Sequence, residues 1–336
     1  MSHRPLLRVA ASAAALLLAV SAHAAEKPAR VHPKLWPAAK SPIGLDPVIE
    51  KRITDMLAQM TIEEKVGQVI QPEWKSIKPE EVTQYHIGSI ENGGGAVPNG
   101  NKHATVKDWV DLIEPYYQAS VVPGQKVTIP LIWASDAVHG HNNVYGATLF
   151  PHNIGLGAAH DPDLIRRIGE ATAAEVRSTG MDWSFAPTIA VARDDRWGRT
   201  YESYSEDPAI TKQYAAAMVS GVQGTGLTFL DDHHVISTAK HFLGDGGTKD
   251  GKDQGDAEMS EADLARIHGA GYPPAIEAGA LSVMISFSSW NGQKMAGNKR
   301  LITGALKQRM HFDGFTITDW DAHRQLESCA KDDCPE

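Results

Sequence analysis

Short apolar runs alternate with helical patterns over most of this sequence. Most of the runs are apolar on both faces and end in polar or glycine-rich residues, which is typical of strands in a parallel sheet covered by helices. Alternating strands and helices over this length predict an α/β fold, either a (β/α) barrel or a doubly wound sheet. The predicted strands are Ile87–Ile90, Val127–Trp133, Trp183–Pro187, Val235–Ala239, Leu281–Ser286 and Phe315–Thr318.

Helix boundary signals support this alternation. Asp161 and Asp207 each precede a proline, so an N-cap acceptor stands directly before the residue type favoured at the first helical position. Ser260 with Asp263 resembles a capping box. An amphipathic helix is predicted at Ile49–Met60. Left-handed C-caps are expected at Gly180, Gly224 and Gly279. A further helical segment is expected at Ala305–Met310.

Polar residues at the ends of predicted strands separate the two candidate folds. In a barrel every loop after a strand opens on the same face, so such residues converge on one pocket. A dinucleotide-binding sheet would carry G-x-G-x-x-G after its first strand, whereas Gly93–Gly95 is followed closely by Pro98 here. The barrel is therefore favoured. The polar residues at strand ends are Asp136, Lys240, His241, Ser286 and Asp319.

The first residues have the pattern of a secretory signal peptide. Arg4 and Arg8 form a positive start, Val9–Val20 is an uncharged apolar run, and Ala22–Ala24 supplies the small residues of a cleavage site. The apolar run is shorter than the roughly 20 residues that span a bilayer, and no later stretch is long enough. We expect residues 1–24 to be a signal peptide and the mature protein to be soluble, periplasmic or secreted, without a membrane contact.

The segment after the predicted leader and the two cysteines add little chemistry. Residues 25–47 are rich in Pro, Lys and Ala without periodicity, which predicts an N-terminal arm. Two cysteines exclude a disulfide-rich scaffold. In an oxidising compartment Cys329 and Cys334 could close a small surface loop, so we interpret the pair as structural.

The charge balance excludes one class of partner. The chain has 32 Lys and Arg residues against 41 Asp and Glu residues, a net charge of −9. Such a chain offers no basic surface that could hold a phosphate backbone by counterion release. The sequence therefore predicts no nucleic-acid partner.

Asp319 is the strongest candidate for a reactive group. It ends a predicted strand and is followed by Trp320. A carboxylate at a barrel strand end can be a nucleophile, a metal ligand or a helix N-cap. The adjacent indole favours a sugar site, because the C–H face of a sugar ring stacks on an aromatic ring while the carboxylate reaches the anomeric carbon.

Lys240 and His241 end another predicted strand, before a glycine-rich turn. Adjacent side chains on a strand point to opposite faces, so both can serve one pocket only where the strand ends and twists. There the pair would donate hydrogen bonds to substrate hydroxyls, and Lys240 could keep a neighbouring carboxylate ionised.

The segment Asp194–Asp207 is dense in charged and aromatic residues. We expect Glu202, Glu206 and Asp207 to form ion pairs that lead into the next helix. Arg199 is the better ligand candidate, because a guanidinium group can bind a carboxylate and a sugar hydroxyl together.

Histidines at a strand end leave a metal-dependent hydrolase as an alternative. His139 and His141 follow a predicted strand in the spacing of a zinc-ligand pair. However, His233 and His234 precede their strand, which places them at the opposite end of a barrel. The acidic stretch Asp250–Asp256 lacks calcium-loop spacing and is interpreted as a solvated turn.

Taken together, these motifs resemble glycoside hydrolase family 3, the retaining β-glucosidases and exo-β-glucanases. The resemblance covers nearly the whole mature chain, and motifs of this length in this order are specific. The loop Gly244–Gly247 lacks the histidine of the β-N-acetylhexosaminidase branch, which favours the glucan branch, although Gln254 stands where glucan-type members often have glutamate. The matching segments are Leu57–Gln68, Asp136–Tyr145, Phe150–Asn153, Arg196–Arg199, Lys240–His241, Met284–Trp290 and Asp319–Trp320.

The resemblance implies a role for each candidate residue. Asp319 would be the nucleophile that forms the glycosyl-enzyme, and Trp290 would either support the pocket from behind or belong to the core. No cofactor or metal is implied, and the partner is an oligo- or polysaccharide substrate. The residues implied to hold the sugar hydroxyls are Asp136, Arg199, Lys240 and His241, and those implied to line the walls are Met284, Phe287 and Trp320.

The resemblance also implies how the chain is organised. Residues 48–336 would be the family's N-terminal domain, a (β/α)8-type, TIM-like barrel that is incomplete at its C-terminal end, without the second α/β domain. Retaining hydrolysis needs two carboxyl groups about 5–5.5 Å apart, and in glucan-type members the general acid/base is a glutamate of that second domain. We therefore expect the acid/base to be missing from this chain, and a sugar-binding remnant without turnover stays open as an alternative.

Overall fold

Six parallel strands form the central sheet of residues 31–327, the part of the chain that the computed structural model describes. The predicted signal peptide at residues 1–24 and the Cys329–Cys334 pair lie outside the described residues. In the sheet the order is β1-β2-β3-β4-β6-β9, and β5, β7 and β8 form a separate three-stranded sheet. The strands are β1 Ser89–Asn92, β2 Ile132–Ser135, β3 Trp183–Ser184, β4 Ile236–Phe242, β5 Asp256–Ala257, β6 Ser282–Ile285, β7 Ser289–Trp290, β8 Gln293–Lys294 and β9 Phe315–Thr318.

The strand order identifies the fold as a curled half-barrel. Each strand of the central sheet pairs in parallel with the next one along the chain, whereas the order in a doubly wound sheet reverses at a switch point. The segment before β1 adds one more parallel bridge, between Glu73 and Glu91. Within residues 31–327, β1 and β9 do not pair with each other. The predicted α/β barrel, incomplete at its C-terminal end, agrees with this topology.

Helices cover the outer face of the sheet. The α-helices are α1 Pro47–Gln59, α2 Ile62–Gln68, α3 Pro79–Tyr85, α4 Val106–Ser120, α5 Asn153–Ala158, α6 Pro162–Ser178, α7 Pro208–Gln223, α8 Glu261–Asp263, α9 Tyr272–Glu277 and α10 Arg324–Glu327. Two segments wind with wider turns, Leu264–His268 and Arg300–Arg309. Single 3-10 turns lie at Pro33–Leu35, Trp74–Ser76, Pro98–Gly100, Thr200–Glu202, Gly226–Thr228, Asp245–Gly247, Lys249–Gly251 and Met295–Gly297. Within the described residues, no helix combines the length and apolar composition that crossing a membrane requires.

The predicted helix signals are present in the structure. The Asp161 carboxylate accepts a hydrogen bond from Leu164 N at 3.0 Å, and the Asp207 carboxylate accepts one from Ala209 N at 2.8 Å. Each such cap stabilises a helix by about 1 kcal/mol. The glycines Gly180, Gly224 and Gly279 have φ angles of 84°, 70° and 95°.

Two layers of apolar side chains hold the sheet. The outer layer lies between strands and helices, and the inner layer fills the barrel interior with Ala134, Trp183, Phe185 and Met284. The N-terminal arm joins the outer layer, because Trp36 is fully buried and its indole donates to Glu261 Oε1 at 2.8 Å. Burying one large side chain of this kind contributes about 1.5–3 kcal/mol.

The strand boundaries show where sequence patterns mislead. β9 spans the predicted Phe315–Thr318, but the predicted strand Val127–Trp133 begins only at Ile132. Pro130 has no N–H to give to a ladder, and Leu131 N donates to the Ser120 hydroxyl at 2.9 Å instead of to a strand. The two-residue strands β5, β7 and β8 were not predicted, because two residues are too few to show a period.

Candidate active site

The carboxyl ends of the six central strands open on a cavity of about 1070 Å³. Most of the site residues predicted from the sequence line this cavity, although they come from five different strands or the loops that follow them. This convergence is what a barrel predicts for side chains that follow its strands. The predicted residues found on the cavity wall are Asp136, Arg199, Lys240, His241, Met284, Asp319 and Trp320.

Phe287 is not among the residues that line the cavity, although it was expected on the wall. Its neighbours Ser286 and Ser288 both direct their hydroxyls toward Asp245. The chain bends at Phe287, where Ser288 N donates to the Ser286 hydroxyl at 2.8 Å. Trp290 belongs to the core, where its indole donates to Met259 O at 2.9 Å.

Asp136 and Lys240 form an ion pair across two strands. Lys240 Nζ lies 2.5 Å from Asp136 Oδ1, and the lysine side chain is 5% exposed. Burial alone would raise the pKa of Asp136, but the charge and hydrogen bond of Lys240, helped by His241 and Arg199, hold that pKa below its ordinary value. Asp136 is therefore an anion whose second oxygen can accept hydrogen bonds from hydroxyl groups.

Lys240 and His241 face the cavity together even though they are consecutive. The pairing register between β4 and β6 shifts between Ala239 and Phe242. Such an irregularity changes the direction in which side chains point at the rim of a barrel. From the sequence the strand was expected to end and twist here; the structure instead has a register shift, together with cis peptide bonds between Lys240 and His241 and between Phe242 and Leu243.

Arg199 is fixed by a two-point contact with Glu202. Its Nε and Nη2 atoms donate to Glu202 Oε1 and Oε2 at 2.7 and 2.9 Å. This planar geometry is the strongest form of a guanidinium–carboxylate pair. Burial opposes ionisation of Glu202, yet the contacts with Arg199 hold the Glu202 pKa below its ordinary value. The ion pair that the sequence predicted for Glu202 is present, and Arg199 Nη2 also reaches His241 Nε2 at 3.3 Å.

Asp245, which was not among the predicted site residues, fixes the ring of His241. Its Oδ2 lies 2.6 Å from His241 Nδ1, and Ser286 donates a hydrogen bond to its Oδ1. Burial would raise the pKa of Asp245, but His241, Ser286 and Arg199 hold it below its ordinary value. The available signal was a carboxylate in the glycine turn after Lys240–His241. That turn needs glycine, because a Cβ on Gly246 would lie 2.3 Å from Val191 O.

The two carboxylate oxygens of Asp319 have different surroundings. Oδ1 accepts a hydrogen bond from Trp320 N at 2.7 Å, and Oδ2 lies 3.6 Å from His241 Nε2. The side chain is 15% exposed. The backbone N–H of Asp319 continues the ladder by donating to Ile285 O at 3.1 Å. One oxygen is thus held by the backbone, while the other faces His241.

A further carboxyl group, that of Glu91, lies on the cavity wall. Burial, followed by the negative charges of Asp136, Glu73 and Asp319, raises the pKa of Glu91 from 4.5 to about 7, while Lys240 opposes the shift. The predicted strand ended at Ile90 because a charged residue breaks an apolar run. No sequence signal therefore pointed to Glu91.

Aromatic side chains form part of the cavity rim. Trp320 is 57% exposed. Across the cavity lining, the rings of His139 and His152 lie 4.3 Å apart, and those of His152 and Tyr201 lie 4.6 Å apart. Flat rings at a cavity mouth suit the apolar face of a sugar.

The histidines considered as metal ligands make other contacts. His139 Nδ1 lies 3.0 Å from Phe150 O, whereas His141 Nε2 lies 3.0 Å from Thr179 Oγ1. Burial lowers the pKa of His141 to about 4. His234 pairs with Asp231 just before β4, away from the strand ends that form the cavity. Within the described part of the chain, no three His, Cys, Asp or Glu side chains come together in a way that could hold a metal ion.

Comparison with known proteins gives consistent matches. Residues 61–334 match the family model described as the glycosyl hydrolase family 3 N terminal domain. The chain is 32% identical over 292 residues to the lysosomal beta glucosidase of Dictyostelium discoideum, and 30% identical over 275 residues to the periplasmic beta-glucosidase of Salmonella typhimurium. Each alignment covers 82% of this chain, but only 35% and 34% of the relatives. The chain thus spans about a third of the length of these curated relatives.

A solved structure extends the similarity to three dimensions. The exo-1,3/1,4-beta-glucanase of a Pseudoalteromonas species shares 53% sequence identity with this chain and superimposes with a TM-score of 0.84. The match covers 86% of this chain and 36% of that chain. At this identity and TM-score, the two barrels have the same fold.

Proposed function

The chain belongs to glycoside hydrolase family 3, and from this premise we propose that it supplies the sugar-binding pocket and the nucleophile of a retaining β-glucosidase or exo-β-glucanase. The observation that carries the proposal is the placement of Asp319 beside a preformed set of hydroxyl-binding groups. Its Oδ2 atom faces His241, which in turn contacts Arg199. The proposed reaction is the release of terminal, non-reducing β-D-glucosyl residues from β-glucans and cello-oligosaccharides.

The substrate class follows from the site and from the relatives. Anionic Asp136 accepts hydrogen bonds, while Lys240 and Arg199 donate them, so the pocket offers both kinds of partner to a ring of hydroxyls. The exposed indole of Trp320 supplies the apolar surface. The relatives are named as β-glucosidases and an exo-1,3/1,4-β-glucanase, which supports glucose as the sugar.

In the first proposed step, Asp319 attacks the anomeric carbon. A bond forms between its free oxygen, Oδ2, and that carbon, while the bond to the leaving oxygen breaks and a general acid gives that oxygen a proton. The hydrogen bond from Trp320 N to Oδ1 keeps the other oxygen out of the reaction. In the second step, water attacks the same carbon, a base takes its proton, and Asp319 is released as a carboxylate.

The general acid/base of this reaction is proposed to come from outside residues 31–327. A general acid must carry a proton, but Asp136 and Glu202 are held as anions by their contacts with Lys240 and Arg199. Glu91 binds a proton more readily, yet it lies within strand β1 and therefore deeper than Asp136, which follows the end of its strand. A leaving group departs through the mouth of the cavity, on the opposite side.

A mechanism-based label tests the nucleophile without the help of a general acid. An aryl 2-deoxy-2-fluoro-β-D-glucoside has a good leaving group, so it forms a glycosyl-enzyme without strong acid assistance. We expect mass spectrometry of the digested protein to find the label on Asp319, and we expect none in Asp319→Asn. Labelling of another residue, or no labelling of the folded chain, would contradict the proposal.

Sugar binding without turnover is the second candidate function. It is favoured by the ion pairs Asp136–Lys240 and Arg199–Glu202, which preform the pocket without a general acid/base. This function predicts that calorimetry detects glucose binding, that Asp136→Ala abolishes it, and that no aryl glycoside labels or turns over. Labelling of Asp319 would exclude it.

Export to the periplasm or the medium is part of the proposal. The predicted signal peptide at residues 1–24 and the name of the Salmonella relative support it. N-terminal sequencing of the protein from its native host should find Ala25 as the first residue. A mature protein that starts at Met1 would contradict export.

A further inference from the structure

The carboxyl group of Glu91 has no role in the proposed reaction. In β1 the side chains alternate, and Ile90 packs against the helices on the outer face together with Trp133. Glu91 pairs in register with Ala134, which belongs to the inner layer of the barrel. The carboxyl group therefore points into the barrel interior, where it lines the cavity.

The register also fixes the depth of Glu91. Asp136 follows Ala134 by two residues on the neighbouring strand, so it lies on the same face and about 6–7 Å nearer the cavity mouth, at ~3.3 Å per residue. Asp136 holds Lys240 at 2.5 Å. Glu91 thus lies on the wall of the cavity, beneath the groups proposed to bind the sugar hydroxyls.

The Glu91 carboxyl group is without a partner in this structure. Among residues 31–327, no group donates a hydrogen bond to it and no cation lies within ion-pair distance. The charged groups that face it are Asp136 after β2, Glu73 before β1 and Asp319 after β9, with Lys240 on β4 as the opposing cation. An unpaired anion beside three carboxylates is unfavourable, so the proton is retained up to a higher pH than usual.

We propose that Glu91 is a specificity-determining residue that donates a hydrogen bond from its carboxyl group to one hydroxyl of the bound sugar. This inference rests on the proposed function, because it assumes a sugar ring in the cavity. A protonated carboxyl group has one O–H donor and one free acceptor oxygen, whereas a carboxylate has acceptors only. The neighbouring Asp136 and Asp319 are acceptors, so a protonated Glu91 adds a donor to this part of the pocket.

Calorimetry with monodeoxy sugars tests the contact directly. The wild-type chain is titrated at pH 6 with D-glucose and its 2-, 3-, 4- and 6-deoxy analogues, and the series is repeated with Glu91→Leu. We expect the substitution to weaken glucose binding about 3- to 10-fold, the range of one hydrogen bond. Wild type and Glu91→Leu should bind equally well to the one deoxy analogue that lacks the hydroxyl contacted by Glu91. Equal weakening for every sugar would indicate a structural role and overturn the proposal.

A pH series separates hydrogen-bond donation from shape. Glucose affinity of the wild type should fall as the pH rises from 6 to 8.5, because Glu91 loses its proton. Glu91→Gln keeps a donor at every pH, so at pH 6 it should bind glucose within about threefold of wild type. Its glucose affinity should not show the fall between pH 6 and 8.5 that the loss of the Glu91 proton causes in the wild type. Glu73→Gln is the matched control, since it removes another carboxylate of the same cavity; it should keep the decline in affinity but shift it to a lower pH, because the charge of Glu73 helps to raise the pKa of Glu91.

The outcomes separate this proposal from the proposed function. If Glu91→Gln follows the wild-type curve, the role of Glu91 is overturned while the sugar pocket stands. If the folded wild-type chain binds no glucose at any pH, the sugar pocket itself is overturned, and the role of Glu91 with it. Thermal unfolding of each variant shows that it is folded before binding is compared.

Discussion

The cavity has two sides that differ in how their charges are arranged. On the side of β4 and its loops, three side chains each have an acidic partner: Lys240 contacts Asp136, Arg199 contacts Glu202, and His241 contacts Asp245. We call the part of the cavity formed by these three contacts the paired side. On the side of β1, the Glu91 carboxyl group has no partner among the described residues.

This difference shows two ways of placing a carboxyl group in a barrel. On the paired side, a cation compensates the cost of burial, so Asp136 and Asp245 stay ionised. On the side of β1, burial is not compensated, and the group retains a proton instead. The paired side therefore provides fixed charges, and Glu91 provides a charge that depends on pH. Substitutions on either side can break or sharpen this contrast.

The largest effect is expected when the paired side loses its central cation. Lys240→Met leaves Asp136 beside Glu91 and Asp319 without its compensating charge, so the Asp136 pKa should rise. The lysine is also proposed to donate to a sugar hydroxyl, and a hydrogen bond to a charged group contributes about 1.5–3 kcal/mol, so glucose binding should weaken by about 10- to 150-fold. Calorimetry at pH 6 measures this loss.

An exposed lysine pair provides the control for that substitution. Lys249 contacts Glu258 at 2.9 Å, but its side chain is 60% exposed. Exposed pairs contribute about 0–1 kcal/mol, so Lys249→Met should leave glucose binding unchanged and stability nearly so. Equal losses from both substitutions would show that burial does not distinguish the two pairs.

A second prediction concerns the contact between His241 and Asp245. Asp245→Asn removes the charge that fixes the His241 ring opposite Asp319, so labelling of Asp319 by the fluoroglucoside should slow by about 10- to 100-fold, or ~1.4–2.8 kcal/mol. The rate of mass increase measures it. Asp231→Asn is the matched control, because Asp231 contacts His234 at the same 2.6 Å before β4. A slower rate in that control would mean that the effect is not local.

Much of the paired side could be predicted from the sequence. Asp136, Lys240, His241 and Asp319 stand at strand ends, and the ends of parallel strands in a barrel meet on one face. Arg199 was predicted because a guanidinium group can bind a carboxylate and a sugar hydroxyl together, and in the structure the carboxylate is that of Glu202. The fold followed from the same alternation of strands and helices.

The residues that were missed depend on information that a linear pattern does not contain. Asp245 contacts His241 only because a glycine turn packs against the backbone of Val191. Glu91 lies in strand β1, which runs to Asn92, whereas the predicted strand ended at Ile90. Phe287 was placed on the wall by resemblance, but the chain bends at this residue, and it does not line the cavity.

A third prediction follows from the proton on Glu91. Its pKa in the folded protein is about 7 and its ordinary value is 4.5, so the folded state binds more protons than the unfolded state between these values. Glu91 therefore contributes stability below about pH 4.5 that is lost as the pH rises through about 7. The difference in free energy of unfolding between Glu91→Gln and wild type should therefore be about 2 kcal/mol more favourable to the variant at pH 8 than at pH 5. Urea unfolding at both pH values measures the difference, and an equal difference at both would show that Glu91 ionises normally.

The smallest effect is expected from the hydroxyls that support the paired side. Ser286 donates to Asp245 and also accepts from Ser288 N at 2.8 Å, whereas the Ser288 hydroxyl only reaches Asp245 at 3.4 Å. Both serines are buried. Ser286→Ala should therefore slow the labelling of Asp319 by about 3- to 10-fold, the value of about one hydrogen bond, while Ser288→Ala should change it less than about twofold. If the two variants slow the labelling of Asp319 equally, the packing of the glycine turn, rather than hydrogen bonds, holds the Asp245 carboxylate in position beside His241.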